Sequence, residues 1–120
     1  MDMAQAYGRA RRMERIGNHA AAIEIWRDVL SADPMLGDAH AALSRVLLAA
    51  KRVSGAKAEA MAALSLDPGS IDAMLTLTAI AFIQDRRKRG FAQLESLLQA
   101  APGLVEAHVL KAHVHRIHGD

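Results

Sequence analysis

The sequence predicts an all-α protein, a superhelical solenoid made of three helical hairpins and one further C-terminal helix. Three observations favour this fold. The three prolines, Pro34, Pro68 and Pro102, are separated by 34 residues in both intervals. Between them, apolar residues recur at the spacing of an amphipathic helix, and short polar or glycine-containing breaks divide each interval in two. A fixed period of this length is typical of stacked repeats that bury their apolar faces against their neighbours.

Each predicted unit consists of two helices, and its proline ends the second one. The stripe of Ile23, Trp26 and Leu30 is typical of such a second helix. The breaks inside the units are predicted at 17–19, 53–55 and 85–90. Ser54 in the second break is a candidate cap for the helix that follows. The predicted helices span 3–16, 20–32, 37–51, 55–66, 71–84, 90–100 and 104–117.

Composition bounds the chemistry of the chain. Its 120 residues are 52% apolar and 3% aromatic, so the core must be built mainly from aliphatic side chains. The absence of cysteine excludes disulfides, thiolate zinc sites and cysteine nucleophiles. A net charge of +2 is too small to indicate a nucleic-acid partner by itself. With no signal peptide and no apolar run long enough to span a bilayer, we expect a cytoplasmic protein.

The residues at matching positions of the units resemble the tetratricopeptide repeat (TPR), a degenerate 34-residue helical hairpin. The small position where the two helices cross holds Ala10, Ser44, Thr78 and Ala112. The small and large positions of the second helix hold Ala22, Ala56 and Gly90, and Trp26, Ala60 and Leu94. The turn glycine is found at Gly17 and Gly119. The resemblance implies a single TPR domain over 1–120, with repeats at about 3–36, 37–70 and 71–104 and a half repeat at 105–120.

The resemblance implies a non-catalytic adaptor or scaffold that binds a peptide or helix in a concave groove lined by the first helices. It places these residues in the groove: Tyr7, Arg11, Arg15, Ala42, Arg45, Leu48, Leu75, Thr76, Ala79, Phe82 and Ile83. The arginines would form a basic end and the larger apolar residues an apolar end, which favours an acidic or amphipathic partner. The alternative is that the apolar residues belong partly to the core and the arginines are solvated.

One TPR subgroup holds the C-terminal carboxylate of a chaperone with a clamp of Lys, Asn and Arg side chains. The resemblance places four uncharged residues at the corresponding positions, namely Ala42, Leu75, Thr76 and Ala79. We therefore expect no carboxylate clamp.

Other charged or titratable groups support weaker hypotheses. The run Arg86–Arg89 is predicted to lie in a turn, and a nucleic-acid or membrane role is disfavoured because no aromatic residues interleave with it. The last helix carries four histidines, His108, His113, His115 and His118. We assign them no metal, because no carboxylate completes the set and because His108 repeats the position of His40, which suggests packing.

No catalytic motif stands out, so we expect neither an enzyme nor a cofactor. The alternative function is a regulatory or targeting TPR domain of a larger enzyme or of a secretion or assembly factor. The last helix has a wide apolar band that includes Val105, Val109 and Ile117, which suits a terminal cap poorly. We expect the chain to be a fragment of a longer protein, and self-association through this helix is the competing explanation.

Overall fold

The computed structural model describes residues 1–118, and this span consists of α-helices joined by short turns, with no strand. The helices are α1 Met3–Arg15, α2 His19–Ala32, α3 Gly37–Ala49, α4 Val53–Leu66, α5 Ile71–Ile83, α6 Arg87–Ala100 and α7 Val105–His118. The predicted all-α class and the predicted order of helices are confirmed. Gly119, the second predicted turn glycine, lies outside the described residues, as does the side chain of His118.

Two predictions about helix starts are wrong. Helix α6 begins at Arg87, three residues earlier than predicted, so most of the basic run lies in its first turn and not in a loop. Helix α4 begins at Val53, which places Ser54 inside it, and the capping residue Arg52 makes no side-chain cap hydrogen bond. The turns before α4 and α6 are therefore shorter than the polar and glycine-containing breaks predicted.

The tight turns share one backbone motif at the end of the first helix of each hairpin. A left-handed residue recurs every 34 positions: Gly17 with φ 80°, Lys51 with φ 64° and Asp85 with φ 58°. The N–H of the next residue closes each turn at 2.8 Å, for example from Arg52 to the carbonyl of Leu47. This is a Schellman ending, which satisfies carbonyls that the last helical turn leaves unpaired. The motif requires one residue with a left-handed backbone conformation, and this residue is a glycine in one of the three turns.

The proline turns also repeat. Helix α2 ends at Ala32, and Asp33 then accepts a hydrogen bond on Oδ1 from the N–H of Met35 at 3.0 Å. In the next unit, Asp67 accepts from the N–H of Gly69 at 3.1 Å in the same way. Each aspartate therefore fixes the turn around the proline that follows it.

A histidine ties two of these proline turns to the helix that follows. Nε2 of His40 bonds the carbonyl of Pro34 at 2.9 Å, and Nε2 of His108 bonds the carbonyl of Pro102 at 2.6 Å. The middle unit has Met74 at this position. The prediction that His108 is a packing residue is wrong: its side chain is exposed, and the hydrogen bond explains its orientation.

The helices divide into two compact units, Met1–Ala73 and Met74–Asp120. In Met1–Ala73, α1 packs on α2, α2 on α3, and α3 on α4. The largest fully buried side chains of this unit are those of Trp26, Leu43, Val29 and Val46. Small residues allow the helices to approach closely. These residues are at most 2% exposed and include Ala10, Ala22, Ser44, Ala56 and Ala60.

In Met74–Asp120, the core is a cluster of Leu94, Ala107 and Val114, flanked by aromatic rings. Phe82 of α5 meets Phe91 of α6 edge to face, with ring centroids 5.0 Å apart. The ring of Phe82 also lies over Gly90, where a Cβ atom would come within 2.8 Å of it. Gly90 is therefore needed for close packing inside a helix. Its predicted place at the small position of the second helix is confirmed.

Candidate peptide-binding face

The first helices of Met1–Ala73 carry a network of charged side chains centred on Arg45 of α3. Its Nη2 donates to Oε1 of Glu14 on α1 at 2.7 Å, and its Nε donates to the same oxygen at 3.1 Å. Its Nη1 reaches Oδ2 of Asp72 at 3.3 Å. The other oxygen of Glu14 accepts the indole N–H of buried Trp26 at 3.1 Å. Because two carboxylates compensate the Arg45 charge, the expectation that this residue adds a free cation to a basic end is wrong.

Tyr7 of α1 makes a second link between the first helices. Its hydroxyl donates to Oδ1 of Asp38 on α3 at 3.0 Å, and its ring meets Trp26 edge to face with centroids 4.9 Å apart. Burial and the hydrogen bond to Asp38 together raise the pKa of Tyr7 to about 12, although nearby Arg11 opposes the shift. Tyr7 therefore stays a neutral hydrogen-bond donor throughout the physiological pH range.

Arg11 and Arg15 lie beside this network as exposed cations on one face of α1, four residues apart. Within residues 1–118, neither guanidinium forms a salt bridge. Together with the links made by Tyr7 and Arg45, they define what we call the α1–α3 face. It presents two exposed positive charges beside a hydrogen-bonded polar framework.

The remaining predicted groove residues are unequally accessible. Ala42 and Thr76 are buried, at 3% and 5% exposure, so they present little surface to a ligand. Leu48, Leu75 and Ala79 are half-buried, and Phe82 is engaged with Phe91 and Gly90. Ile83 is exposed at 60%. The assignment of all these residues to one groove stays a prediction.

Sequence reasoning missed two carboxylates that organise the α1–α3 face, namely Asp38 and Asp72. A signal for both exists in the repeat. An acidic residue recurs in the first turn of α3, α5 and α7, at Asp38, Asp72 and Glu106. A carboxylate in the first turn is stabilised by the positive end of the helix dipole. In Met1–Ala73, each also accepts a bond from the preceding first helix.

The C-terminal histidines have separate partners. The ring of His115 stacks at a tilt on Phe91, with centroids 5.4 Å apart, and Nδ1 of His113 lies 3.0 Å from Nη2 of Arg116. In the part of the chain that the structure describes, no three His, Asp or Glu side chains come together as a metal site would require.

The basic run is exposed from Arg86 to Arg89, and Nε of Arg87 donates to Oδ1 of Asp85 at 3.0 Å. The structure therefore places these cations around a helix start, next to one carboxylate. Among residues 1–118, no helix has both the length and the apolar character needed to cross a membrane.

These features define an all-α helical-hairpin repeat protein with the TPR fold, and solved structures support this fold. The first TPR of Spaghetti (RPAP3), bound to HSP90 peptide SRMEEVD, matches 100% of this chain and 98% of its own, with a TM-score of 0.82 at 16% identity. The second TPR domain of human RPAP3, in complex with HSP70 peptide SGPTIEEVD, matches 87% of each chain, with a TM-score of 0.74 at 18% identity.

An enzyme also contains a similar structure. Thermobaculum terrenum O-GlcNAc transferase matches 88% of this chain over 20% of its own length, with a TM-score of 0.81 at 22% identity. At these identities the likeness concerns the fold. No protein-family model and no curated protein sequence matches the chain.

Proposed function

We propose that this chain is a non-catalytic protein-interaction module that binds an acidic or amphipathic peptide at the α1–α3 face. The observation that carries the proposal is the pair of exposed cations, Arg11 and Arg15, beside a polar framework fixed by Tyr7, Glu14 and Arg45. A fixed framework reduces the conformational entropy lost on binding, and free cations attract carboxylates. Two solved proteins of the same fold are bound to peptides that contain two adjacent glutamates each.

The proposed recognition differs from that of a carboxylate clamp. Ala42 at a clamp position is buried and uncharged. Arg45, the nearby cation of α3, is held between Glu14 and Asp72. Recognition therefore depends on acidic side chains along the peptide, and a free C-terminal carboxylate is dispensable.

The test uses fluorescence anisotropy at low ionic strength, where exposed charges are least screened. The probes are the peptide SRMEEVD as free acid, its C-terminal amide, and a helical peptide of glutamate and leucine with all acids on one side. The Arg11→Glu/Arg15→Glu protein should bind the helical peptide about tenfold more weakly, a loss of about 1.4 kcal/mol. Amidation of SRMEEVD should leave its affinity unchanged.

The matched control is Arg9→Glu/Arg12→Glu, which reverses two other exposed arginines of α1 and leaves the protein with the same net charge. Equal losses in the two double variants would show that only overall charge matters, and would contradict a binding face. Loss of binding on amidation would indicate a terminal-carboxylate site instead.

The second candidate is a regulatory or targeting domain of a larger enzyme or of a secretion or assembly factor. The match to part of an O-GlcNAc transferase favours it, since this fold is found there as one-fifth of a longer enzyme chain. The sequence of the complete open reading frame decides between the two candidates.

A further inference from the structure

In Met1–Ala73, helix α4 covers one side of α3. The covered α3 residues are at most 2% exposed: Leu43, Ser44 and Leu47. A Cβ atom at Gly55 of α4 would lie 3.5 Å from the side chain of Leu47, which fixes where the two helices touch. The same side of α7 is open. The equivalents of these three α3 residues lie 68 positions later in the sequence. Of them, Lys111 and Ala112 are exposed and His115 is half-buried.

Two equivalent histidines, His40 and His108, show what chemistry the open side of α7 can recognise. His40 uses Nε2 for the carbonyl of Pro34 and Nδ1 for Oε2 of Glu59 on α4, at 2.6 Å. His108 has the same orientation, because its Nε2 bonds the carbonyl of Pro102 at 2.6 Å. Its Nδ1 forms no hydrogen bond with residues 1–118. The carboxylate that α4 gives to His40 has no counterpart here among the described residues.

The surroundings of His108 suit a helix. Between α6 and α7 runs a cleft of about 440 Å³. Its apolar floor includes Phe91, Leu94 and Leu98, and its rim includes Lys111 and Glu95. Val105, one turn before His108, is exposed at 67%. It corresponds to Gly37 of α3, where a Cβ atom would lie 3.4 Å from Leu66 of α4. The side of α7 that would meet a helix in this register therefore begins with apolar Val105 and continues with the polar side chains of His108, Lys111 and His115.

The charge of α7 indicates that a helix packed on it comes from a different protein and not from a second copy of this chain. Helix α7 carries Lys111, Arg116 and four histidines against one acid, Glu106. A second α7 would bring like charges next to Lys111 and would offer few carboxylates to His108. A partner helix with a suitably placed glutamate would supply a carboxylate to His108 and a negative charge near Lys111.

We propose that α6 and α7 bind an α-helix of a partner protein, which packs on α7 as α4 packs on α3 and presents a glutamate to Nδ1 of His108. Small residues on the partner helix lie over His115, as Gly55 lies over Leu47. This surface is independent of the α1–α3 face, and it requires a helical ligand.

The probe is a capped synthetic peptide with the sequence of residues 52–67 of this chain, which contains α4 and Glu59. Titrated into the isotope-labelled full chain, it should shift amide resonances of α6 and α7 in a saturable manner. The same peptide with Glu59→Gln should bind about tenfold more weakly, because the charge-assisted bond to His108 is lost. The protein variant His108→Gln should show the same loss, and its effect should not add to that of the peptide change.

The control variant is His113→Gln, which alters an exposed histidine of α7 and should leave the peptide affinity unchanged. The proposal is overturned if the resonances shift in α3 and α4 alone, which would mean that the peptide displaces α4. Equal affinities of the Glu and Gln peptides would also overturn it.

Sedimentation velocity of the protein alone tests the second-copy alternative. A dimer that dissociates in His108→Gln and blocks the peptide would reassign the surface to self-association. The Arg11→Glu/Arg15→Glu protein should bind the helix peptide normally, so failure of the α1–α3 proposal and failure of this one are distinguishable.

Discussion

In Met1–Ala73 the helices are linked by charged and hydrogen-bonded side chains, whereas in Met74–Asp120 they are linked by aromatic rings. Arg45 joins α1 to α3 through Glu14, and His40 joins α3 to α4 through Glu59. In the second unit, Phe82 and Phe91 make the corresponding link between α5 and α6. Small residues and turn geometry therefore recur along the chain, while the side chains that link the helices differ between the two units.

Glu14→Ala should have the largest effect, because it leaves the buried indole N–H of Trp26 without an acceptor and Arg45 without its main partner. We expect a loss of about 2 kcal/mol in the free energy of unfolding. Urea unfolding followed by fluorescence of Trp26, the single tryptophan, measures it. Arg116→Ala at the same register position of α7 should change stability by less than about 0.5 kcal/mol. Similar losses in both variants would remove the contrast between the units.

Gly90→Ala should destabilise the second unit by about 1.5 kcal/mol, since the added methyl group overlaps the ring of Phe82. In a Phe82→Leu background, the same change should become favourable by about 1 kcal/mol, because alanine is the better helix former. Hydrogen exchange of α6 amides in the four proteins measures both effects. A constant cost of Gly90→Ala in both backgrounds would show that the aromatic contact is unimportant.

Lys51→Gly should stabilise the first unit by about 1 kcal/mol, because a left-handed backbone strains every residue with a Cβ atom. Asp85→Gly should gain less, since aspartate tolerates this region better and Asp85 also holds Arg87. Thermal unfolding of both variants ranks the two turns. An equal or larger gain at Asp85 would contradict the role assigned to its side chain.

The smallest expected effect is a pH dependence from His40. Burial lowers the pKa of His40, but the hydrogen bond to Glu59, the bond to the Pro34 carbonyl and the Glu59 charge together raise it above 6.5. Only the doubly protonated ring donates to both oxygens. Protonated His40 should contribute about 0.5–1 kcal/mol to the free energy of unfolding. This contribution should be complete below pH 6.5 and should disappear as the pH rises through the raised pKa of His40.

The difference in unfolding free energy between wild type and Glu59→Gln, followed from pH 6 upward, measures this contribution. His108→Gln serves as the comparison in the second unit, since none of the carboxylates that the structure describes is bonded to that ring. A wild-type advantage that grows with rising pH would contradict the assigned protonation.

The helix order and the register can be predicted from the sequence, because helical periodicity and proline turns are local properties. That register correctly placed Ala22, Ser44 and Gly90 at close helix contacts. It failed at the start of α6, since the Schellman turn at Asp85 depends on backbone shape and not on glycine.

Which charged side chains are paired follows from the packing of distant helices. Arg11 and Arg45 look alike in the sequence, yet Arg45 meets carboxylates that are 31 and 27 residues away, while Arg11 stays in solvent. The same holds for His40 and His108, which occupy equivalent positions and differ in whether a second helix supplies a carboxylate. Local patterns specify helices and turns, whereas the pairing of charges depends on which distant side chains the packed helices bring together.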